Sequence, residues 1–385
     1  MSQHTGFKAG ALAKGLEAAK GEFVAVFDAD FVPGPDFLTT TVPHFLDRPR
    51  LGMIQTRWGH INADYSLLTR IQAIALDGHF VIEQTARNRA GLFTNFNGTA
   101  GIWRQSCIDE AGGWQGDTIS EDLDLSYRAQ LAGWDFLFLP DVVSPAELPP
   151  QINAFKRQQF RWAKGSIQCA MKLWRQIVTA PVPLFKRIQG LIHLTGYLVH
   201  PLMLIMLLIM LPLTIWQEKM RIPLSCLGLA SFGPPLLYAL SQQALYRDWP
   251  KKLVSFPLLM LLGAGIALSD TRAIYEALTN RGNDFRRTPK FQVEKRGDQW
   301  KGSSYVLPFG WETASEAFLA LYALLTAWIA WRQGNFHPVP FMLLYAASFG
   351  YVSICTVFHS LPHFFHRTEA TESQRKSKTI RESPS

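Results

Sequence analysis

The chain has 385 residues, a formal net charge of +8 and 48% hydrophobic residues, enough length for one enzyme domain followed by a membrane domain. Its basic residues sit beside its apolar runs, which suits an anionic membrane surface better than nucleic acid. Four isolated cysteines (Cys107, Cys169, Cys226, Cys355), without a Cys-x-x-Cys pair or a histidine at ligand spacing, suggest neither a disulfide framework nor a zinc site.

The segment Met1 to Lys8 lacks the apolar core of a cleavable signal, so the first half is expected to stay in the cytosol. Ala11 to Lys20 reads as a short helix. Glu22 to Phe27 reads as a buried parallel strand, with Asp28-Ala29-Asp30 at its carboxyl end, where open α/β sheets place ligands. Pro33, Gly34 and Pro35 turn the chain into a helix toward Leu46. Met53 to Thr56 predicts a strand, Asp64 to Arg89 a long helix, and Leu92 to Phe96 another strand before Asn97-Gly98-Thr99-Ala100-Gly101. Ser120-Glu121-Asp122 opens a helix capped near Asp117 and Thr118, and Trp134 to Leu139 is a strand ended by Pro140. Alternating strands and helices argue for a mostly parallel sheet.

Beyond Pro145, Pro149 and Pro150 comes an amphipathic helix carrying Gln158, Arg161 and Trp162 at i, i+3, i+4, on one face. Apolar runs follow at about Leu191 to Leu213, Leu224 to Leu245, Leu253 to Leu268, Ala314 to Trp331 and Val339 to Val357. A basic loop with Arg281, Arg286, Arg287, Lys290, Lys295 and Arg296 lies between the third and fourth. The expected division is a cytosolic catalytic domain at 1–150, amphipathic interfacial helices at 151–188, a transmembrane domain at 189–363 with a cytosolic loop at 270–312, and a disordered basic tail at 364–385. Positive loops stay cytoplasmic. Four crossings are therefore expected, with the Leu253 to Leu268 run along the interface or re-entrant, and Gln217 to Ile222 and Gln333 to His337 outside.

Asp28-x-Asp30 suits a divalent cation bridging a diphosphate, because hard oxygen ligands suit Mg²⁺ or Mn²⁺; alone, such a tripeptide usually marks a solvated turn. Asp122 reads as a general base for an acceptor hydroxyl, against the commoner fate of a helix-start carboxylate. Gln158, Arg161 and Trp162 would hold a sugar and a diphosphate together, or belong to an interfacial helix with snorkelling cations. Trp174, Tyr197 and Trp311 are candidates for stacking on sugar rings.

In order, these motifs resemble the family 2 glycosyltransferases of the cellulose-synthase superfamily. Phe96 to Trp103, Ala111 to Trp114, Glu121 to Ser126 and Glu147-Leu148-Pro149 are similar to segments of the cellulose-synthase-like glucan and mannan synthases. The resemblance implies an α/β GT-A domain followed by an α-helical membrane domain, and inverting transfer from a nucleotide sugar of the UDP-glucose or GDP-mannose type. It implies Mg²⁺ or Mn²⁺ held through Asp30 and Asp28, and catalysis by Asp122 with Glu121 beside it. It also implies donor diphosphate contacts from Lys8, Asp28 and Arg161, acceptor contacts from Gln158 and Trp162, and a gating loop at Thr288 and Lys290. Ser120 stands where the family has threonine, and control through a nucleotide-sensing domain is not expected. The family has an earlier strand–helix unit for the base, so the GT-A domain is expected to lack that first unit, with an upstream segment or a separate polypeptide supplying it.

The function expected is a membrane-embedded hexosyltransferase of the cell membrane, multi-pass, extending a glucan or mannan-like β-glycan. One alternative is a glycolipid synthase adding one sugar to a lipid acceptor. Another is an inactive fragment or accessory subunit of a synthase complex.

Overall fold

The computed structural model describes residues 7–216, 232–281, 288–300 and 306–381. Arg286, Arg287, Cys226 and the connector 217–222 lie outside them.

The first part alternates helices and strands: α1 (Phe7–Ala18), β1 (Phe23–Val26), α2 (Phe37–Thr41), α3 (Pro43–Leu46), β2 (Leu51–His60), α4 (Leu67–Asp77), α5 (Thr85–Arg89), β3 (Gly101–Arg104), α6 (Gln105–Glu110), α7 (Glu121–Leu131) and β4 (Asp135–Ala146). A π-helical segment, Gly78–Gln84, joins α4 to α5, so the long helix expected over 64–89 is present with a widened turn in it.

The sheet order is β1-β3-β2-β4, with β3 antiparallel to both neighbours and β2 parallel to β4. It is a mixed sheet, not the mostly parallel one expected. The reading failed at two strands. Leu92 to Phe96 forms no strand; its apolar character reflects Phe93 and Phe96, both fully buried as irregular core residues. The strand lies just beyond, at Gly101–Arg104, and returns antiparallel against β1, which is an edge strand with part of its surface exposed rather than a buried parallel one.

β4 does not stop at Pro140. It continues to Ala146 through a register shift opposite Thr56 and Arg57. Proline cannot donate to a ladder and is accommodated at such irregularities. Its carbonyl is used instead, accepting from Arg57 Nε at 2.7 Å.

The second part is helical: α8 (Ile152–Thr179), α9 (Leu184–Thr195), α10 (Val199–Ile215), α11 (Gly233–Leu245), α12 (Trp249–Lys252), α13 (Phe256–Gly265), α14 (Ala267–Leu278), α15 (Trp311–Arg332) and α16 (Val339–Arg381). Four helical stretches among the described residues are long and apolar enough to cross a membrane: Leu184–Ile215, Trp249–Leu278, Trp311–Arg332 and Val339–Leu361. The run at Leu253 to Leu268 lies within one 30-residue helical stretch, Trp249–Leu278. The sequence reading closed it at the charged residues beyond, but Asp270 is fully buried against His200 (3.1 Å) and Arg272 pairs with Glu276 (3.0 Å). The loop expected at 270–312 accordingly begins only after Leu278.

The backbone is also helical through Arg381, where composition suggests disorder.

Two of the lysines on α8 are turned inward rather than outward. Lys156 is buried and paired with Glu316, and Lys164 is buried and pairs with Glu276 at 3.1 Å. The helix packs on α7 through Gly165, where an added Cβ would stand 2.0 Å from Ser120 Oγ.

Candidate active site

The site lies where the carboxyl end of β1 and the middle of β2 meet the start of β3, since Val26 is opposite Gly101 and Gln55 is opposite Gly101 on the other side. The loop 97–100 is held from below by Gln55, a fully buried polar residue of β2. Its amide donates to the carbonyls of Thr99 and Ala100 (3.1 Å each), and its Oε1 accepts from Asn97 N at 2.9 Å. Sequence reasoning missed Gln55. A buried amide must find partners, and here it finds them in the motif loop, which nothing local to Gln55 in the sequence reveals.

That loop seats the first of the predicted residues. Lys8 Nζ donates to Asp28 Oδ1 (2.8 Å) and to the carbonyl of Gly98 (2.9 Å), and the Asp28 amide donates to Thr99 Oγ1 at 2.8 Å. Gly98 has φ +82, and a Cβ there would stand 2.7 Å from Asp122 Oδ2 and 3.5 Å from Lys8 Nζ. Lys8, Asp28 and Asp122 therefore converge on one glycine, which is required both for its backbone conformation and for the lack of a side chain.

Glu121 and Asp122 open α7 with Ser120 as N-cap; the cap expected at Asp117 and Thr118 is not used, and Asp117 instead pairs with Lys172 at 2.8 Å. Asp122 Oδ1 accepts from Leu123 N at 2.8 Å. Burial pushes the Asp122 carboxyl above the usual range, opposed by Lys8, the Leu123 amide and Arg161. Burial and the neighbouring Asp122 charge push Glu121 up to about 7, opposed by Lys8 and Arg161. Burial pulls the Arg161 guanidinium down, while Asp122, Glu121 and Asp28 hold it protonated. A carboxylate with a raised pKa between two cations is suited to taking a proton near neutral pH.

From the far side of the sequence, Arg161 Nη2 lies 3.5 Å from Thr288 Oγ1, and Lys290 Nζ lies 2.6 Å from Asp30 Oδ2. The structure thus brings Lys8, Asp28, Asp30, Glu121, Asp122, Arg161, Thr288 and Lys290 to one end of the sheet. Gln158 and Trp162 are half-buried on α8. A cavity of about 360 Å³ beside Arg161 is lined by Phe160, Lys164, Arg272, Glu276 and Trp311. Of the three aromatic candidates only Trp311 lines it, and Trp174 is exposed elsewhere on α8.

Among the described residues no group of three His, Cys, Asp or Glu side chains could hold a metal ion. Asp28 is engaged by Lys8. Asp30 Oδ2 is different: it is buried and paired with the Lys290 ammonium at 2.6 Å, a setting that already holds positive charge beside this carboxylate. One carboxylate completed by phosphate oxygens and water is a usual setting for Mg²⁺.

A model of glycosyl transferase family group 2 matches residues 23–217, just over half of the chain. The chain belongs to this family. Among curated relatives, glucomannan 4-beta-mannosyltransferase 1 of Cyamopsis tetragonoloba is 45% identical over 188 residues, covering 48% of this chain and 36% of that protein. The probable glucomannan 4-beta-mannosyltransferase 2 of Oryza sativa subsp. japonica is 34% identical over 362 residues, covering 89% of this chain and 60% of that protein. The chain thus spans about a third to three fifths of the length of these two relatives. A solved mannosyltransferase of Pyrobaculum calidifontis, in complex with GDP-Man and Mn2+, aligns with a TM-score of 0.45 at 19% identity, over 71% of this chain and 67% of that one.

Proposed function

We propose that this chain carries an inverting hexosyltransferase that extends a β-linked, mannan-like glycan at a membrane from a nucleotide diphosphate sugar, with GDP-mannose as the favoured donor. The observation that carries the reading is the half-buried Asp122 carboxylate, held against Gly98 and influenced by both Lys8 and Arg161. The names of the mannosyltransferase relatives support the sugar and the linkage type.

In this reading Asp122 takes the proton of the acceptor hydroxyl as that oxygen attacks the anomeric carbon. Lys8 and Arg161 stabilise the diphosphate as its glycosidic bond breaks, since cations aimed at developing charge act strongly in a buried site. Asp30 would hold Mg²⁺ or Mn²⁺, with Asp28 orienting Lys8, and a divalent cation there offsets leaving-group charge. Gln158 and Trp162 contact the acceptor sugar. Thr288 and Lys290 close the site from the loop side. The basic segments Tyr246 to Lys252 and Lys290 to Arg296 favour a cytoplasmic position for the sheet domain in the cell membrane.

The test supplies membranes containing the protein with labelled GDP-mannose, UDP-glucose and UDP-N-acetylglucosamine, then sizes the product and digests it with linkage-specific hydrolases. A β-mannanase-sensitive polymer made from GDP-mannose is expected. Transfer from none of the donors, or a product of one sugar on lipid, would refute the reading.

A further inference from the structure

Glu147 follows β4 directly and is 8% exposed, deep enough that an unpartnered charge would be costly. Its partners come from a segment more than a hundred residues away. The carboxylate accepts backbone N–H bonds from Phe291 (3.0 and 3.3 Å, one to each oxygen), Gln292 (3.1 Å) and Val293 (3.4 Å). Gln292 has φ +57, a left-handed conformation unusual for a residue with a side chain. Such a turn lets successive amides converge on one anion. The Glu147 carbonyl in turn accepts from Lys290 Nζ at 3.0 Å. The same ammonium is 2.6 Å from Asp30, and Thr288, two residues earlier, meets Arg161.

We propose that Glu147 is a positioning residue for the transfer reaction: its buried carboxylate docks the 288–293 segment onto the sheet domain so that Lys290 and Thr288 meet Asp30 and Arg161. The inference rests on the glycosyltransferase reading for its effect on catalysis, and on geometry alone for the docking. Glutamine at 147 keeps one acceptor oxygen but turns an NH₂ group toward amide donors, so the clasp opens. Gln292 is exposed, which makes its backbone conformation testable without disturbing the core. Glycine there supplies the positive φ without strain, whereas a β-branched residue resists it.

The full chain in detergent is treated with trypsin and the cut after Lys290 is followed by mass; donor KM is measured in parallel. Glu147→Gln and Gln292→Val are expected to be cut faster than wild type, and Gln292→Gly no faster. Donor KM should rise about tenfold or more in Glu147→Gln, the scale of lost hydrogen bonds to a charged group. Because Glu147 acts through Lys290, Glu147→Gln combined with Lys290→Ala should be no worse than Lys290→Ala alone. Should Glu147→Gln fail to fold, Gln292→Val carries the same test from the protein surface. Wild-type cutting rates in Gln292→Val and any folded Glu147→Gln, or effects of Glu147→Gln and Lys290→Ala that multiply, would overturn the proposal. A wild-type chain that transfers no sugar would sink the glycosyltransferase reading while leaving the cutting rates to decide the docking.

Discussion

Gly98 and Asp122 approach so closely that a methyl group on Gly98 would stand 2.7 Å from the Asp122 Oδ2 atom, well inside contact distance. The glycine motif and the acidic helix start, far apart in sequence, are therefore one device: the loop leaves room for the carboxylate, and its carbonyl holds Lys8. Gly98→Ala should fold, yet lower turnover by about 10²-fold, because a displacement near 1 Å at a reacting group has costs of that size. Steady-state kinetics beside a thermal melt would check it; normal turnover in the folded variant would show that Asp122 is not confined by this loop.

The carboxylates set a pH dependence. Glu121 is pushed up to about 7, and Asp122 is raised, so both hold protons at pH values where an exposed carboxylate has lost them. A base must be unprotonated to act, so kcat/KM should rise with pH along an acid limb lying above the ordinary carboxylate range, belonging to the pair rather than to one residue. Lys8 lowers both groups. Lys8→Ala should therefore move the limb to higher pH in a pH–rate profile. The same shifts act on stability with a definite sign: the folded state binds more protons than the unfolded chain between the ordinary carboxylate range and the raised values, so this pair's contribution to stability falls as pH rises through that window.

Gly165→Ala tests the seat of α7 on α8. A Cβ there would meet Ser120 Oγ at 2.0 Å and Ser120 Cβ at 2.7 Å, so the helices must separate. Overpacking of this kind costs about 1–3 kcal/mol. A thermal melt of the purified variant should show lower stability, and turnover should drop with it because Ser120 directly precedes Glu121 and Asp122. An unchanged melt would mean that the two helices adjust freely.

Much of the site was legible because its residues lie in short motifs whose chemistry constrains spacing. Asp28, Asp30, Glu121, Asp122 and Arg161 come together as the motif order suggests. The sheet was less legible. Phe93 and Phe96 carry an apolar signal as strong as that of a strand, and periodicity cannot tell a buried irregular segment from a buried strand over so few residues. Gln55, and the role of Glu147 within its motif, were not legible for another reason: each acts by satisfying backbone groups of a distant segment, and no local pattern encodes a partner many residues away. The membrane helices show the same limit, since Asp270 reads as the end of an apolar run until His200 is seen beside it.

The measurement that bears most directly on the account compares wild type with Asp122→Asn in the same membranes, recording donor binding and sugar transfer together. The account predicts that the variant binds the nucleotide sugar nearly as well as wild type but transfers it about 10²-fold or more slowly, because the acceptor proton has lost its destination. Near-normal transfer by Asp122→Asn would contradict it.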